Sequence, residues 1–287
     1  MVDQECHRVT PALRRVIFSR KVKTHIIRAL TFSSVVFMFA MNLQGWTAWT
    51  PAVETPAAWA DWARSGAVAP SVAAEEVCPP PIKEIPPLLR RRAESMGRAL
   101  LHVLSRSELP YAGQPLILCS RWGELPRSLA LQRELARDGQ VSPQQFSMSV
   151  HNAIGGLFMM AQKADAPLTA LAAAEETALA GLQEAAIQLA DGAASVWLCF
   201  SEEPLPEEYR HLDTSPQPQH TDYFALLLEL TAGEAFCLQP ETGVTAEHAP
   251  ASPLRLLRFL LLPEVETLCL SPRGGWILRR QNAACIT

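Results

Sequence analysis

The sequence predicts an α/β protein built around a buried central helix, and three observations carry that prediction. Within residues 141–200, apolar positions at Ala178, Leu179, Leu182, Ala185, Ala186 and Leu189 recur at three- and four-residue intervals, which gives one buriable stripe on a helix from Glu175 to Ala190. The stripe is small-sided, and its alanines together with Gly181 let another backbone come close, which suits the middle of a domain better than its surface. Short apolar runs flank it. Leu168–Ala173 reads as a buried strand, and beyond the helix stop at Asp191-Gly192, Ala194–Phe200 reads as a second strand.

The composition fits that class. A chain of 287 residues, 48% apolar and 19% charged, buries enough surface for one large domain or two small ones. Its formal net charge of −4 is divided unequally: residues 1–40 hold seven basic and two acidic side chains, leaving 18 basic against 27 acidic in the remainder. An acidic body argues against nucleic acid as a partner, since phosphate binding needs clustered Lys and Arg. The seven cysteines, Cys6, Cys78, Cys119, Cys199, Cys237, Cys269 and Cys285, are scattered, mostly in apolar runs, which predicts reduced core thiols in a cytoplasmic protein rather than a disulfide framework. CxxC, HExxH, GxGxxG and GxSxG are all absent, so zinc, zincin, dinucleotide and ordinary hydrolase readings lose their support, and no metal site is expected.

The elements follow in order. Residues 1–40 are basic from Arg8 to Arg28 and then apolar, with a run too short to span a bilayer. An anchor or a secretory signal is one reading, and either would permit membrane contact. The reading adopted is a translated leader ahead of a true start at Met41, with one domain over 41–287. MNLQGWTAW from Met41 is a strand, and Thr55-Pro56 opens a short helix to Arg64. The four tryptophans at Trp46, Trp49, Trp59 and Trp62 read as packing residues. The proline-rich stretch 67–87 is an irregular loop. A helix from Leu88 to Ser105 starts at Arg90-Arg91-Arg92, which reads either as a solvated face or as a contact for an acidic partner. Gln114–Ser120 is a buried strand, and Pro126–Asp138 is a helix closed by Gly139. Tyr223–Leu230 and Glu234–Leu238 are strands joined by a hairpin-like turn. Leu254–Leu262 is a helix or strand, and Thr267–Leu270 with Trp276–Arg279 forms a closing hairpin.

The run VSPQQFSMSVHNAIGGLFMMAQKADAPLTALAAAEETALAGLQEAAIQLADGAASVWLCFSEE resembles the amino-terminal half of a beta-ketoacyl synthase. It is most similar to the short relatives called chain length factors, which accompany a ketosynthase in aryl polyene and related polyketide or fatty-acid-like biosynthesis. The similarity extends from Met41 to about Arg280 and is strong over Val141–Glu203. It implies a thiolase-like fold, a mixed sheet with a buried central helix.

With Leu179 and Leu182 as anchors, Glu175 stands where a condensing relative carries its nucleophilic cysteine. A thiol there is activated by the helix N-terminus, and a carboxylate cannot accept an acyl chain as a thiol does. Glu175 and Glu176 then satisfy the helix N-terminus electrostatically. The alternative makes Glu175 the working group of a malonyl-carrier decarboxylase or an acyltransferase. The family also uses two histidines from a carboxy-terminal half. His211, His220 and His248 lie in settings unlike those, and His151 reads as packed and hydrogen-bonded.

The resemblance therefore implies a noncatalytic subunit of a heterodimer with a full-length ketosynthase, without a cofactor of its own, acting on acyl chains carried on the phosphopantetheine of an acyl carrier protein. Strand Leu168–Ala173 would pair with its counterpart in the partner. One helix bearing Phe146, Met148, Val150, Ile154, Leu157 and Phe158 would wall the acyl tunnel, where bulk limits chain length, although the same residues also read as ordinary core. Arg90, Arg91 and Arg92 would be the carrier-protein contact. A membrane-tethered scaffold using residues 1–40 is a third possibility.

Overall fold

The computed structural model describes residues 38–67, 70, 78–213, 223–241, 252–271 and 275–281. Residues 1–37 of the expected leader lie outside the described residues, as do His220 and His248, Cys6 and Cys285. Strands run at β1 (Phe39–Trp49), β2 (Leu116–Cys119), β3 (Leu168–Leu171), β4 (Val196–Glu202), β5 (Phe224–Ala232), β6 (Phe236–Glu241), β7 (Thr267–Cys269) and β8 (Gly275–Arg280). They form one sheet in the order β3-β2-β4-β5-β1-β6-β8-β7. β3, β2 and β4 are parallel, β5 runs antiparallel to both β4 and β1, and β6, β8 and β7 continue from β1 as antiparallel neighbours. β1 begins two residues ahead of Met41, pairing Phe39 with Leu238 and Ala40 with Cys237.

Helices cover both faces. On one lie α1 (Pro56–Ser65), α7 (Thr177–Ala190) and α8 (Pro253–Leu261); on the other lie α3 (Ser95–Ser105) and α6 (Ala153–Gln162). β4 shows why the strands read as unbroken apolar runs. Val196, Leu198 and Phe200 point into the first layer while Trp197 and Cys199 point into the second, so a period of two is filled with apolar side chains at every position from Val196 to Phe200. Each such side chain, fully buried, contributes roughly 1.5–3 kcal/mol.

The central helix is as its stripe predicts. Ala178, Leu179, Leu182, Ala185, Ala186 and Leu189 of α7 are all buried against the sheet. A Cβ on Gly181 would lie 2.8 Å from Cys119 Sγ and 3.1 Å from Leu198 Cδ1, so the close approach of helix to sheet requires glycine there. Local chemistry sets the other boundaries. Thr55 accepts a hydrogen bond from the Ala58 backbone N–H at 3.2 Å and caps α1, and Gly139, at φ 70°, closes α4 (Leu125–Asp138).

Four expectations are corrected. The helix placed over Leu88–Ser105 is two, α2 (Pro87–Arg90) and α3, because the Arg92 carbonyl accepts from Arg127 Nη2 at 3.2 Å instead of continuing a ladder. The single helix placed over Phe146–Phe158 is also two, α5 (Pro143–Ser147) and α6. The Ser147 and Ser149 hydroxyls donate to the Gln144 and Phe146 carbonyls and end the first. β5 and β6 do not form a hairpin, because β1 lies between them. The Asn42 side chain of β1 fills their connection, accepting from the Ala235 N–H at 2.9 Å. β3 is not buried: it is the edge strand, half exposed and two residues shorter than expected.

Candidate functional site

Three parallel strands end on the same side of the sheet, and in open α/β sheets ligands bind outside such carboxyl ends. β3 runs from there into α7 through a strand-to-helix turn. Its backbone is strained at Ala174, which has φ 48°. The strain is held by one side chain: buried Thr177 donates its hydroxyl to the Ala174 carbonyl at 2.7 Å and accepts from the Ala173 N–H at 3.0 Å. Glu175 and Glu176 complete a single 3-10 turn ahead of α7, both half-buried, and Ser271 donates to Glu176 at 2.6 Å. A sharp turn of this kind lifts a nucleophile above the sheet in covalent enzymes.

The side chains at that turn supply no thiol. Cys119 on β2 faces α7 beneath Gly181, where burial first and then the Glu202 and Glu184 carboxylates raise its thiol far above the ordinary range, so it stays protonated. Every cysteine among the described residues is free.

A second cluster, which the sequence analysis did not identify, lies at the ends of β2 and β4. Glu202 is fully buried and accepts from the Arg121 N–H at 2.8 Å and the Ser120 hydroxyl at 3.4 Å, which ties the β2–α4 loop to β4. Burial pushes its carboxyl up to about 7, against the pull of Arg121 and Ser120. Glu203 is pushed up to about 8 by burial and then by Glu124 and Glu94. Glu124 is raised by burial too, although Arg127 Nε lies 3.3 Å from it; Arg127 Nη2 reaches Glu94 at 3.1 Å. The signal available in the sequence was two glutamates, Glu202 and Glu203, one residue beyond the apolar run Val196–Phe200, a position where acids are forced against the core. Nearby, His151 packs beside Gly123. Its Nε2 is buried with no hydrogen-bond partner, and burial lowers its pKa, so it is packed but not bonded there as expected.

The remaining candidates separate. Met148, Ile154, Leu157 and Phe158 are buried in the second core layer, with Phe158 tilted against Trp197 and edge-on to Tyr111. Phe146 and Val150 are 59% and 43% exposed. Arg91 and Arg92 are exposed and Arg90 half-buried on the α2–α3 turn. That turn is tied through Arg92 to Arg127 in the first turn of α4, which holds the triplet on the carboxyl side of the sheet. His211 is exposed. Among the described residues no group of three His, Cys, Asp or Glu could hold a metal, and no helix is long and apolar enough to cross a membrane.

The chain is similar in structure to a ketosynthase (ApeO) in complex with its chain length factor (ApeC) from Xenorhabdus doucetiae. The TM-score is 0.69 at 23% identity, over 84% of this chain and 99% of that one. It is also similar to the ishigamide ketosynthase/chain length factor, with a TM-score of 0.57 at 14% identity over 85% of this chain and 100% of that one. A beta-ketoacyl synthase from Burkholderia phymatum matches with a TM-score of 0.51 at 11% identity, over 79% of this chain and 70% of that one. A search of curated proteins found no match to the sequence. The model of one family, beta-ketoacyl synthase, N-terminal domain, matches residues 59–277. The mixed eight-stranded sheet between two helical layers is thus that of a thiolase-like ketosynthase fold, and the chain belongs to the beta-ketoacyl synthase N-terminal domain family.

Proposed function

We propose that this chain is a noncatalytic chain length factor: it pairs with a beta-ketoacyl-carrier synthase and shapes the acyl tunnel at their interface. The observation that carries this reading is the strand-to-helix turn at Ala174–Thr177, whose strained backbone suits a nucleophile position but which presents Ala-Glu-Glu-Thr and no thiol. Without a thiol at that turn, the turn has no group to take an acyl chain by thioester exchange. The negative charge of Glu175 and Glu176 instead complements the positive end of α7.

The edge strand supports the partnership. β3 leaves one row of backbone donors and acceptors unpaired among the described residues, and its sequence Leu-Thr-Ala-Leu has none of the charges or prolines that protect a free edge. Exposed apolar side chains lie on helices covering both faces: Phe146, Val150 and Met160 around α5 and α6, and Ile187 on α7, whose neighbour Gln188 reaches Thr169 of β3 at 3.5 Å. A partner that continued the sheet from β3 would cover them. The similar structures are named as complexes of ketosynthases with chain length factors, which favours a ketosynthase as that partner. In this reading Arg91 and Arg92 face the acidic carrier protein, the chain needs no cofactor of its own, and the complex works in the cytoplasm.

Co-expression with a candidate partner ketosynthase, followed by affinity capture and intact mass spectrometry after incubation with acyl carrier protein, tests this. A heterodimer whose acyl adduct sits wholly on the ketosynthase is expected. An acyl adduct on this chain, or carbon dioxide release by the chain alone from malonyl carrier that Glu175→Gln abolishes, would establish the enzymatic alternative instead.

A further inference from the structure

The end of the sheet opposite β3 carries a half-open cavity of about 440 Å³ between α8, β7 and β8, a size within the range of small-molecule sites. It is lined by three arginines, Arg255 and Arg258 one turn apart on α8 and Arg279 on β8, and by the buried apolar side chains Phe259, Leu268 and Ile277. One acid, Glu241, lines it as well, and that carboxylate is already 3.7 Å from Arg279.

The α8 pair is left over. Arg258 stacks its guanidinium 4.3 Å above the Trp62 ring and donates from Nη2 to the Ala67 carbonyl, yet its Nε is buried without a hydrogen-bond partner, and so is Nη1 of Arg255. Among the described residues neither arginine has a carboxylate within ion-pair distance. Burial lowers the pKa of both, and the charge of Arg255 adds to the strain on Arg258. Two like charges at helical spacing, partly dehydrated and with open donors, are costly unless an anion joins them. A planar guanidinium fork matches carboxylate or phosphate oxygens, and the apolar lining matches a hydrocarbon chain.

We propose that this cavity binds an amphipathic organic anion, with a carboxylate or phosphate head bridging Arg255 and Arg258 and a short apolar tail against Phe259, Leu268 and Ile277. The site lies seven strand spacings from β3, roughly 30 Å away. It is therefore separate from the edge proposed to meet the ketosynthase and stands or falls independently of that pairing.

Octanoate, octyl phosphate, inorganic phosphate and octanol, titrated calorimetrically into the purified protein or its complex, test the proposal. At least one of the two amphiphilic anions is expected to bind about tenfold or more tightly than either octanol or inorganic phosphate, and the stronger of the two identifies the head group. Arg255→Gln is expected to weaken that binding about tenfold while leaving the ligand-free melting temperature unchanged or raised, because a like-charge repulsion is relieved. Equal binding of octanol and octanoate would reduce the cavity to an apolar hole. Equal binding of inorganic and octyl phosphate would reduce it to an adventitious ion site. No binding at all, or an Arg255→Gln variant that melts lower while keeping its affinity, would overturn the proposal.

Discussion

Replacing Glu203 by glutamine should make the protein more stable above neutral pH and flatten its loss of stability with rising pH. The Glu203 carboxyl is held up to about 8 from an ordinary 4.5, chiefly by burial and then by the charges of Glu124 and Glu94. Because the folded value lies above the unfolded one, the native state keeps a proton that the unfolded chain has released. Stability from this group is complete below about 4.5, falls as pH rises through the interval, and levels off above 8. Three and a half units at 1.36 kcal/mol each amount to about 5 kcal/mol. Glu203 is only half-buried, so solvent screening reduces the difference to about 2–3 kcal/mol. The measurement is urea unfolding followed by tryptophan fluorescence at pH 5 and pH 8.5. The wild-type protein should lose stability between the two, at most about 1.4 kcal/mol per pH unit for this one proton, and Glu203→Gln should lose about 2–3 kcal/mol less. A glutamine variant that declines as steeply as the wild type, or is less stable at pH 8.5, would refute the assignment of the strain to this carboxylate.

Other outcomes follow from packing and pairing. The Leu116 and Ser120 N–H groups donate to the Pro167 and Leu171 carbonyls, so Ala170 points its N–H away from β2; Ala170→Pro should leave the fold intact and abolish co-purification with the ketosynthase, read by affinity capture and circular dichroism. Gly181→Val puts atoms against Cys119 and Leu198 that cannot retreat, and should cost about 1–3 kcal/mol or more in urea unfolding. Phe158→Ala should cost about 3–5 kcal/mol because the ring is fully enclosed by Tyr111, Trp197 and their neighbours. Phe146→Ala, at an exposed ring, should change stability by less than about 0.5 kcal/mol. It should instead lengthen the acyl products of the complex, measured by mass spectrometry of carrier-bound chains; unchanged products would remove Phe146 from the tunnel wall.

The elements whose signals are local were legible in the residues. The stripe of α7, the Thr55 cap, the Gly139 stop and the alternation that buries β4 on both faces each depend on a few consecutive side chains, and each lies within about two residues of where the periodicity put it. Glu175 and Glu176 were expected at the front of the central helix, and they stand there in the 3-10 turn that leads into α7.

What the sequence did not contain is who neighbours whom. That β1 slips between β5 and β6, that β3 is an edge rather than a buried strand, and that Arg127 reaches across to the Arg92 carbonyl and breaks a helix are contacts between residues far apart in the chain. So are the crowding of Glu124, Glu202 and Glu203 and the meeting of Arg255 with Phe259, Leu268 and Ile277 around one cavity. Hydrophobic pattern and capping settle local conformation because they act within a turn or two. Strand order, burial of charge and cavity shape are settled by packing, where many weak long-range contacts are satisfied together or not at all.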